Sequence, residues 1–268
     1  MRTRAATAAK TILDRTRQPP RVALLLGTGH SSIAGQLKDK HIVKAGDLPE
    51  GLRFSGGSAL VSGLLEDVPV VVADAPLAPY EGYSPEAVTF PVRVLRAMGA
   101  QVLILTAAGA SLTLQLEPGM ISVIEDHLNF SGIHPLQGPH DAELGPRFPD
   151  MSNPYDHALQ RTARSVSLDG GIPCAQAVFA AVPGPSLPTR AEYRAYRRLG
   201  ADLVGMSLVP EVLAAVHSGF RVLALVGVTQ MVNPESHKPV SIEAMIEAAD
   251  LAAPRMAAML TGVVRRLP

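Results

Sequence analysis

Cysteine is almost absent from this 268-residue chain, where Cys174 stands alone. A lone thiol excludes an internal disulfide and a cysteine-based metal cluster, and it reads as a small buried residue. Net charge is absent as well, with 24 Lys and Arg against 24 Asp and Glu. A balanced chain has no electrostatic hold on nucleic acid or on an anionic membrane. The arginines near its ends (Arg2, Arg4, Arg15, Arg17, Arg265, Arg266) read as solvated tails. No apolar run approaches the roughly 20 residues of a membrane span. The opening stretch MRTRAATAAKTILDRTRQPP is too polar for a signal peptide, so a cytoplasmic enzyme is expected.

Apolar residues make up 47% of the chain and charged ones 18%, a soluble globular composition. The length suits one large α/β domain over residues 1–268, with residues 1–20 as an N-terminal helix or arm. Its organising stretch is GADLVGMSLVPEVLAAVHSGFRVLALVGVT, Gly200 to Thr229. A short apolar strand, a turn at Ser207, a helix with Val209, Val212, Leu213 and Val216 on one face, and a second apolar strand read as a βαβ unit. A parallel strand apolar throughout needs cover on both faces, which predicts a sheet sandwiched by helices. Ligands of such sheets sit beyond the carboxyl ends of strands, here Met206, Ser207, Thr229 and Gln230.

Elsewhere, helices are expected from Ala5 to Arg17, after the Ser84-Pro85 cap with Val88, Val92, Leu95 and Met98 inward, and from Ala191 to Leu199. A final helix starts at Ser241 and is interrupted at Pro254. Strands are expected at Val22–Leu26, Val68–Ala73, Val102–Thr106, Met120–Ile124 and Ala177–Val182. Between the first strand and a following helix lies GTGHSS, a glycine-rich turn whose N–H groups suit an anion. The stretch from His127 to Met151 is rich in Gly, Pro and His and reads as a lid or interface arm. Its histidines His127, His134 and His140 fit no common zinc spacing, so no metal is expected.

Several of these segments, GTGHSS, PYEGYSPEAVTFPVRVLRAMGA, TAAGA, DHLNFSG with HPLQGPHDAELGPRFPDMS, and PGPSLPTRAEYRAYRRLGADLVGMSLVPEV, resemble the trimeric purine nucleoside phosphorylases in order. The resemblance implies a central mixed β-sheet flanked by helices and a homotrimer with sites at subunit interfaces. It also implies phosphorolysis of a nucleoside to base and pentose 1-phosphate, with phosphate as co-substrate and no cofactor. Tyr80 matches a ribose-contacting tyrosine, Ala107 and Met206 match positions lining base and sugar, and Ser207 matches a phosphate-contacting serine. Phe148 matches the aromatic that crosses from a neighbouring subunit.

Other family positions differ. Pro76 and Ala78 stand where the family has an arginine and a histidine for phosphate, and Leu187 and Pro188 where it has phenylalanine and a purine-holding glutamate. Gln230 and Thr106 replace asparagines, and Ser241 replaces a histidine near the ribose 5′-hydroxyl. Thr28, Thr106, the Thr189-Arg190-Ala191-Glu192 turn and the start of the last helix resemble the methylthioadenosine phosphorylase branch. His30, Arg190 or His237 could replace the missing phosphate ligands. The expected catalytic group is therefore Gln230, Thr28 and His30. Leu187, Pro188, Val204 and Met206 make an apolar slot for a nucleoside-like substrate less polar than guanosine or inosine. Three functions remain open: a divergent phosphorylase, a hydrolase, lyase or silent ligand-binding protein on the same fold, and a structural trimer that binds a protein partner.

Overall fold

Every residue of β1, Val22–Leu26, is apolar and buried. Its side chains alternate between two cores: Ala23 and Leu25 pack on one side of the sheet, Val22, Leu24 and Leu26 on the other. That double burial is what a central parallel strand requires, and β1 pairs in parallel with β4 (Val68–Asp74) and β5 (Val102–Ser111). The protein is seen in a computed structural model that describes residues 1–27, 31–55, 59–235 and 241–267. Among the described residues nine strands form one mixed sheet in the order β2-β3-β4-β1-β5-β8-β7-β6-β9. The others are β2 (Lys38–Val43), β3 (Leu60–Leu65), β6 (Ile121–Asn129), β7 (Cys174–Ala181), β8 (Leu203–Gly205) and β9 (Arg221–Met231).

Strand β9 also pairs back onto β5, in parallel from Val102↔Arg221 to Ser111↔Met231. The last five strands of that order therefore close into a ring. Within it β6, β7 and β8 run parallel to one another and opposite to β5 and β9. One face carries α1 (Arg2–Thr16), α2 (Pro85–Ala97) and α5 (Val209–His217), whose apolar residues share a core. The other carries α3 (His157–Asp169) and α6 (Ile242–Arg265). Helix α4 (Arg190–Arg198) packs Tyr193 into a smaller cluster with Val182 and Val204.

Local chemistry explains the helix ends. The Ser84 hydroxyl accepts the Ala87 N–H with Pro85 at the first helical position, and the expected inward residues Val88, Val92, Leu95 and Met98 are all buried. Asp156 caps α3 by accepting from Ala158 and Leu159 N–H, and the same carboxylate holds Arg221 at 2.7 and 3.2 Å.

Several expectations are corrected. The β8–α5–β9 segment is not a parallel βαβ unit: β8 is antiparallel to β5 and β9 parallel to it, so both strands flank β5 and run in opposite directions. Helix α5 is buried on nearly all sides rather than along one face. From Ser31, inside the GTGHSS stretch, the described residues form a short 3-10 helix, Ser31–Gln36. Helix α6 continues through Pro254, because that proline and Asp250, whose carbonyl loses its partner, face water. The terminal arginines are exposed but lie mostly in helices, with Arg4, Arg265 and Arg266 paired to Glu86, Glu66 and Asp169. Such pairs contribute little to stability. Cys174 is partly exposed rather than buried.

Candidate functional site

The site begins where β1 ends. Gly27 N–H donates to both the carbonyl and the hydroxyl oxygen of Thr106, each at 3.0 Å. A Cβ on Gly27 would lie 2.7 Å from the Thr106 carbonyl oxygen, so only glycine fits. The described start of the glycine-rich turn is thereby tied to the middle of β5. Beyond Thr106, strand β5 presents Ala107, Ala108, Gly109 and Ala110, and these small residues leave room above the sheet. A cavity of about 330 Å³ opens there, the size of a small-molecule site.

Its wall is completed by the carboxyl end of β8 and the turn behind it. Leu208 has φ 80 and ψ −58, and Val209 N–H donates to the Ser207 carbonyl at 3.0 Å. This is a γ-turn with positive φ on a non-glycine residue, a conformation costing roughly 1–3 kcal/mol. The strain is located at the cavity, where it carries the chain from Ser207 straight into α5. Opposite, the segment with Pro76, Ala78 and Tyr80 is pinned by Glu81, which accepts from Ala78 N–H at 2.9 Å and from Ser55 Oγ at 3.0 Å. Thr229 donates to the Gly109 carbonyl at 3.3 Å, so β9 and β5 hold the end of the site together.

The cavity gathers most of the residues singled out from sequence. Tyr80, Thr106, Ala107 and Gln230 line it, as do Leu187 and Pro188 from the loop before α4, and Val204, Met206 and Ser207 at the end of β8. Ser241 does not: its hydroxyl accepts Ala244 N–H and donates to Glu243, so it caps α6. Phe148 lies outside the cavity on the surface, 86% exposed beside Arg147. Arg190 begins α4 and is not among the lining residues. Thr28, His30 and His237 lie outside the described residues.

One lining residue was missed. Glu211, in the first turn of α5, is 2% exposed, and its Oε2 has no hydrogen-bond partner among the described residues. The signal was present as a single carboxylate inside the apolar run VPEVLAAV. Among the described residues it is the only carboxyl lining the cavity, and no Lys, Arg or His lines it. A helix start favours a carboxylate by about 0.3–1 kcal/mol. Burial works against this and is the larger effect: it raises the Glu211 pKa from 4.5 to about 7, although its own backbone N–H opposes the shift. Gln230 Oε1 is likewise buried without a partner. The site thus holds two unmatched polar atoms in a mainly apolar enclosure.

Among the described residues no three His, Cys, Asp or Glu side chains meet in a group able to hold a metal ion. His127 contacts Tyr155 Oη at 3.0 Å, while His134 and His140 line a separate cavity with Arg93, Arg147 and His217. No described helix is long and apolar enough to cross a membrane.

Comparison with known proteins places this geometry in context. The model of the phosphorylase superfamily matches residues 21–265. Purine nucleoside phosphorylase 1 of Bacillus subtilis is 39% identical over 253 residues, 93% of each chain. The purine nucleoside phosphorylase of Bos taurus is 35% identical over 97% of this chain and 93% of its own. The crystal structure of the Schistosoma mansoni purine nucleoside phosphorylase in complex with inosine superposes with a TM-score of 0.94 at 30% identity, covering 99% of this chain and 97% of that one.

Proposed function

The chain belongs to the phosphorylase superfamily, and from that premise we propose that its cavity binds a purine nucleoside or a close analogue and cleaves the glycosidic bond. The observation that carries this reading is the convergence of Tyr80, Thr106, Met206, Ser207 and Gln230 on one mainly apolar cavity. Relatives of similar length named as purine nucleoside phosphorylases support it.

The chemistry follows from what such a bond requires. As the bond from the anomeric carbon to the base nitrogen breaks, its electron pair leaves with the base and the sugar becomes cationic. Phosphate attacks the same carbon to give the free base and a pentose 1-phosphate. The Gln230 amide can donate to the departing base, which stabilises charge that develops only in the transition state. Val204, Met206 and Leu187 supply apolar contact for the planar ring, and Tyr80 covers the sugar. Ser207, which lines the cavity beside the strained turn, faces the nucleophile. Phosphate is a co-substrate here, and the proposal needs no resident cofactor.

The assembly belongs to the same proposal. Phe148 is a large aromatic with 86% of its surface exposed, which suits a side chain that covers the cavity of a neighbouring copy in a homotrimer.

A second reading has its own observation. Pro76 and Ala78 line the cavity where two cations would grip a dianion, so phosphate binds weakly at best through hydroxyl and backbone groups. Water could then be the nucleophile, giving a hydrolase, or the cavity could bind without cleaving. Incubating the purified protein with inosine, guanosine, adenosine and methylthioadenosine, with and without phosphate, separates these outcomes by chromatography of the released base. Phosphate-dependent release supports the phosphorylase. Release without phosphate supports the hydrolase, and no release from any of them rejects cleavage of these nucleosides.

A further inference from the structure

We propose that Glu211 selects the ligand's heterocycle, its Oε2 forming a hydrogen bond to the nitrogen edge of the base. The proposal rests on the nucleoside reading above and assigns within it a role that no residue yet fills.

Glu211 lines the cavity from the first turn of α5, 2% exposed, with Oε2 shielded from water and unpartnered. Buried polar groups in folded proteins are nearly always hydrogen-bonded, and an unmatched carboxyl in an apolar enclosure is among the costlier exceptions. A ligand that brings the missing partner recovers that cost, and one that cannot do so is rejected. No second carboxyl lines the cavity among the described residues.

The chemistry of the surroundings points to a base edge. Sugar hydroxyls can be met by the hydroxyls of Ser207, Thr106 and Tyr80. A planar ring needs apolar faces, provided by Leu187, Val204 and Met206, and a few polar groups at its rim. Among the described residues, Glu211 and Gln230 are the two lining side chains with an oxygen buried without a partner. A carboxyl at this depth, partly protonated near neutral pH because burial disfavours its charge, can donate to a ring nitrogen or accept from a ring or exocyclic N–H. The protonated form matches the bare ring nitrogen of a 6-amino purine and the ionised form the ring N–H of a 6-oxo purine, so the form the pocket holds sets the preference.

The test is calorimetric titration of adenine, hypoxanthine and the four nucleosides above into wild type, Glu211→Gln and Glu211→Leu, with melting curves to establish that each variant is folded. The expected result is a shift of at least tenfold in the adenine-to-hypoxanthine affinity ratio in Glu211→Gln, because an amide presents a fixed donor and acceptor. In Glu211→Leu the preferred base should weaken by about a hundredfold or more. Unchanged affinities and an unchanged ratio in both variants, with wild type binding normally, would overturn the assignment of Glu211 and leave the nucleoside reading intact. Failure of wild type to bind any of these bases or nucleosides would overturn both. Should Glu211→Leu fail to fold, the ratio in the nearly isosteric Glu211→Gln decides the question alone.

Discussion

Gly27 and Thr106 are joined twice through one donor: the Gly27 N–H points between the carbonyl and hydroxyl oxygens of Thr106, at 3.0 Å to each. The contact fixes the end of β1 against β5 at the base of the cavity, and there is no space at Gly27 for a side chain. Replacing Gly27 with Ala should therefore displace the backbone rather than a flexible neighbour. The expected loss is roughly 1–3 kcal/mol of stability, together with weakened ligand binding. Urea unfolding of the variant measures the first; an unchanged midpoint would mean that the strands slide apart at no cost.

Glu211 should give the protein a distinctive pH dependence. Its pKa is raised from 4.5 to about 7 in the fold, so between these values the folded chain holds a proton that the unfolded chain has lost. This stabilisation is fully present below the lower value and is lost as pH rises through the upper one. Wild type should lose on the order of 3 kcal/mol relative to Glu211→Gln between pH 4.5 and pH 8. Denaturation of the two proteins across that range tests it. Parallel stability curves would show that the carboxyl is not desolvated.

Asp156 serves two elements at once, capping α3 and holding Arg221 at the start of β9. Its hydrogen bond to Arg221 holds the carboxyl below the usual range, and the backbone donors add to this. The associated stability is therefore present above the unfolded value of 3.8 and fades as pH falls through the lower folded value. The ion pair is partly exposed, so the cap should dominate. Asp156→Ala is expected to cost about 1.5 kcal/mol, and Asp156→Asn, which keeps an acceptor for the cap, about 0.5 kcal/mol. Thermal melts rank the two, and equal losses would assign the effect to the ion pair instead.

The apolar wall at Pro76 and Ala78 makes a prediction about phosphate. Installing Pro76→Arg and Ala78→His together adds two charge-assisted donors at the cavity, each contributing about 1.5–3 kcal/mol to an anion. Phosphate affinity, measured by calorimetry, should rise at least tenfold. If it does not, these positions do not face the anion.

Much of the site was legible in the chain because its residues sit in contiguous motifs. Strands β1, β4 and β9 announce themselves as unbroken apolar runs, and the Ser84-Pro85 cap marks α2 without ambiguity. Met206 and Ser207 follow the end of β8 and Gln230 lies near the end of β9, where local chemistry is visible in one dimension, whereas Tyr80 and Thr106 are marked by the family resemblance. The polar edge strand β2, KDKHIV, gave no such signal, since all but its last residue are exposed. Helix α3 was missed because its cap, Asp156, follows a long irregular stretch. Ser241 was misplaced for the opposite reason: a helix cap and a site hydroxyl look alike in a sequence.

What the sequence determined by itself was the burial pattern: which segments need cover on two faces, where helices start, and which residues follow the strand ends. Local period and capping chemistry are properties of neighbours in the chain, and they persist in any arrangement of the elements. The tertiary structure alone decided that β8 opposes β9 across β5, that the ring closes, and that Glu211 lines the cavity with an oxygen no other described group meets. Strand direction and the partner of a buried polar atom depend on residues far apart in sequence, so they are settled only when the elements pack and every hydrogen-bonding group either finds a partner or is left without one.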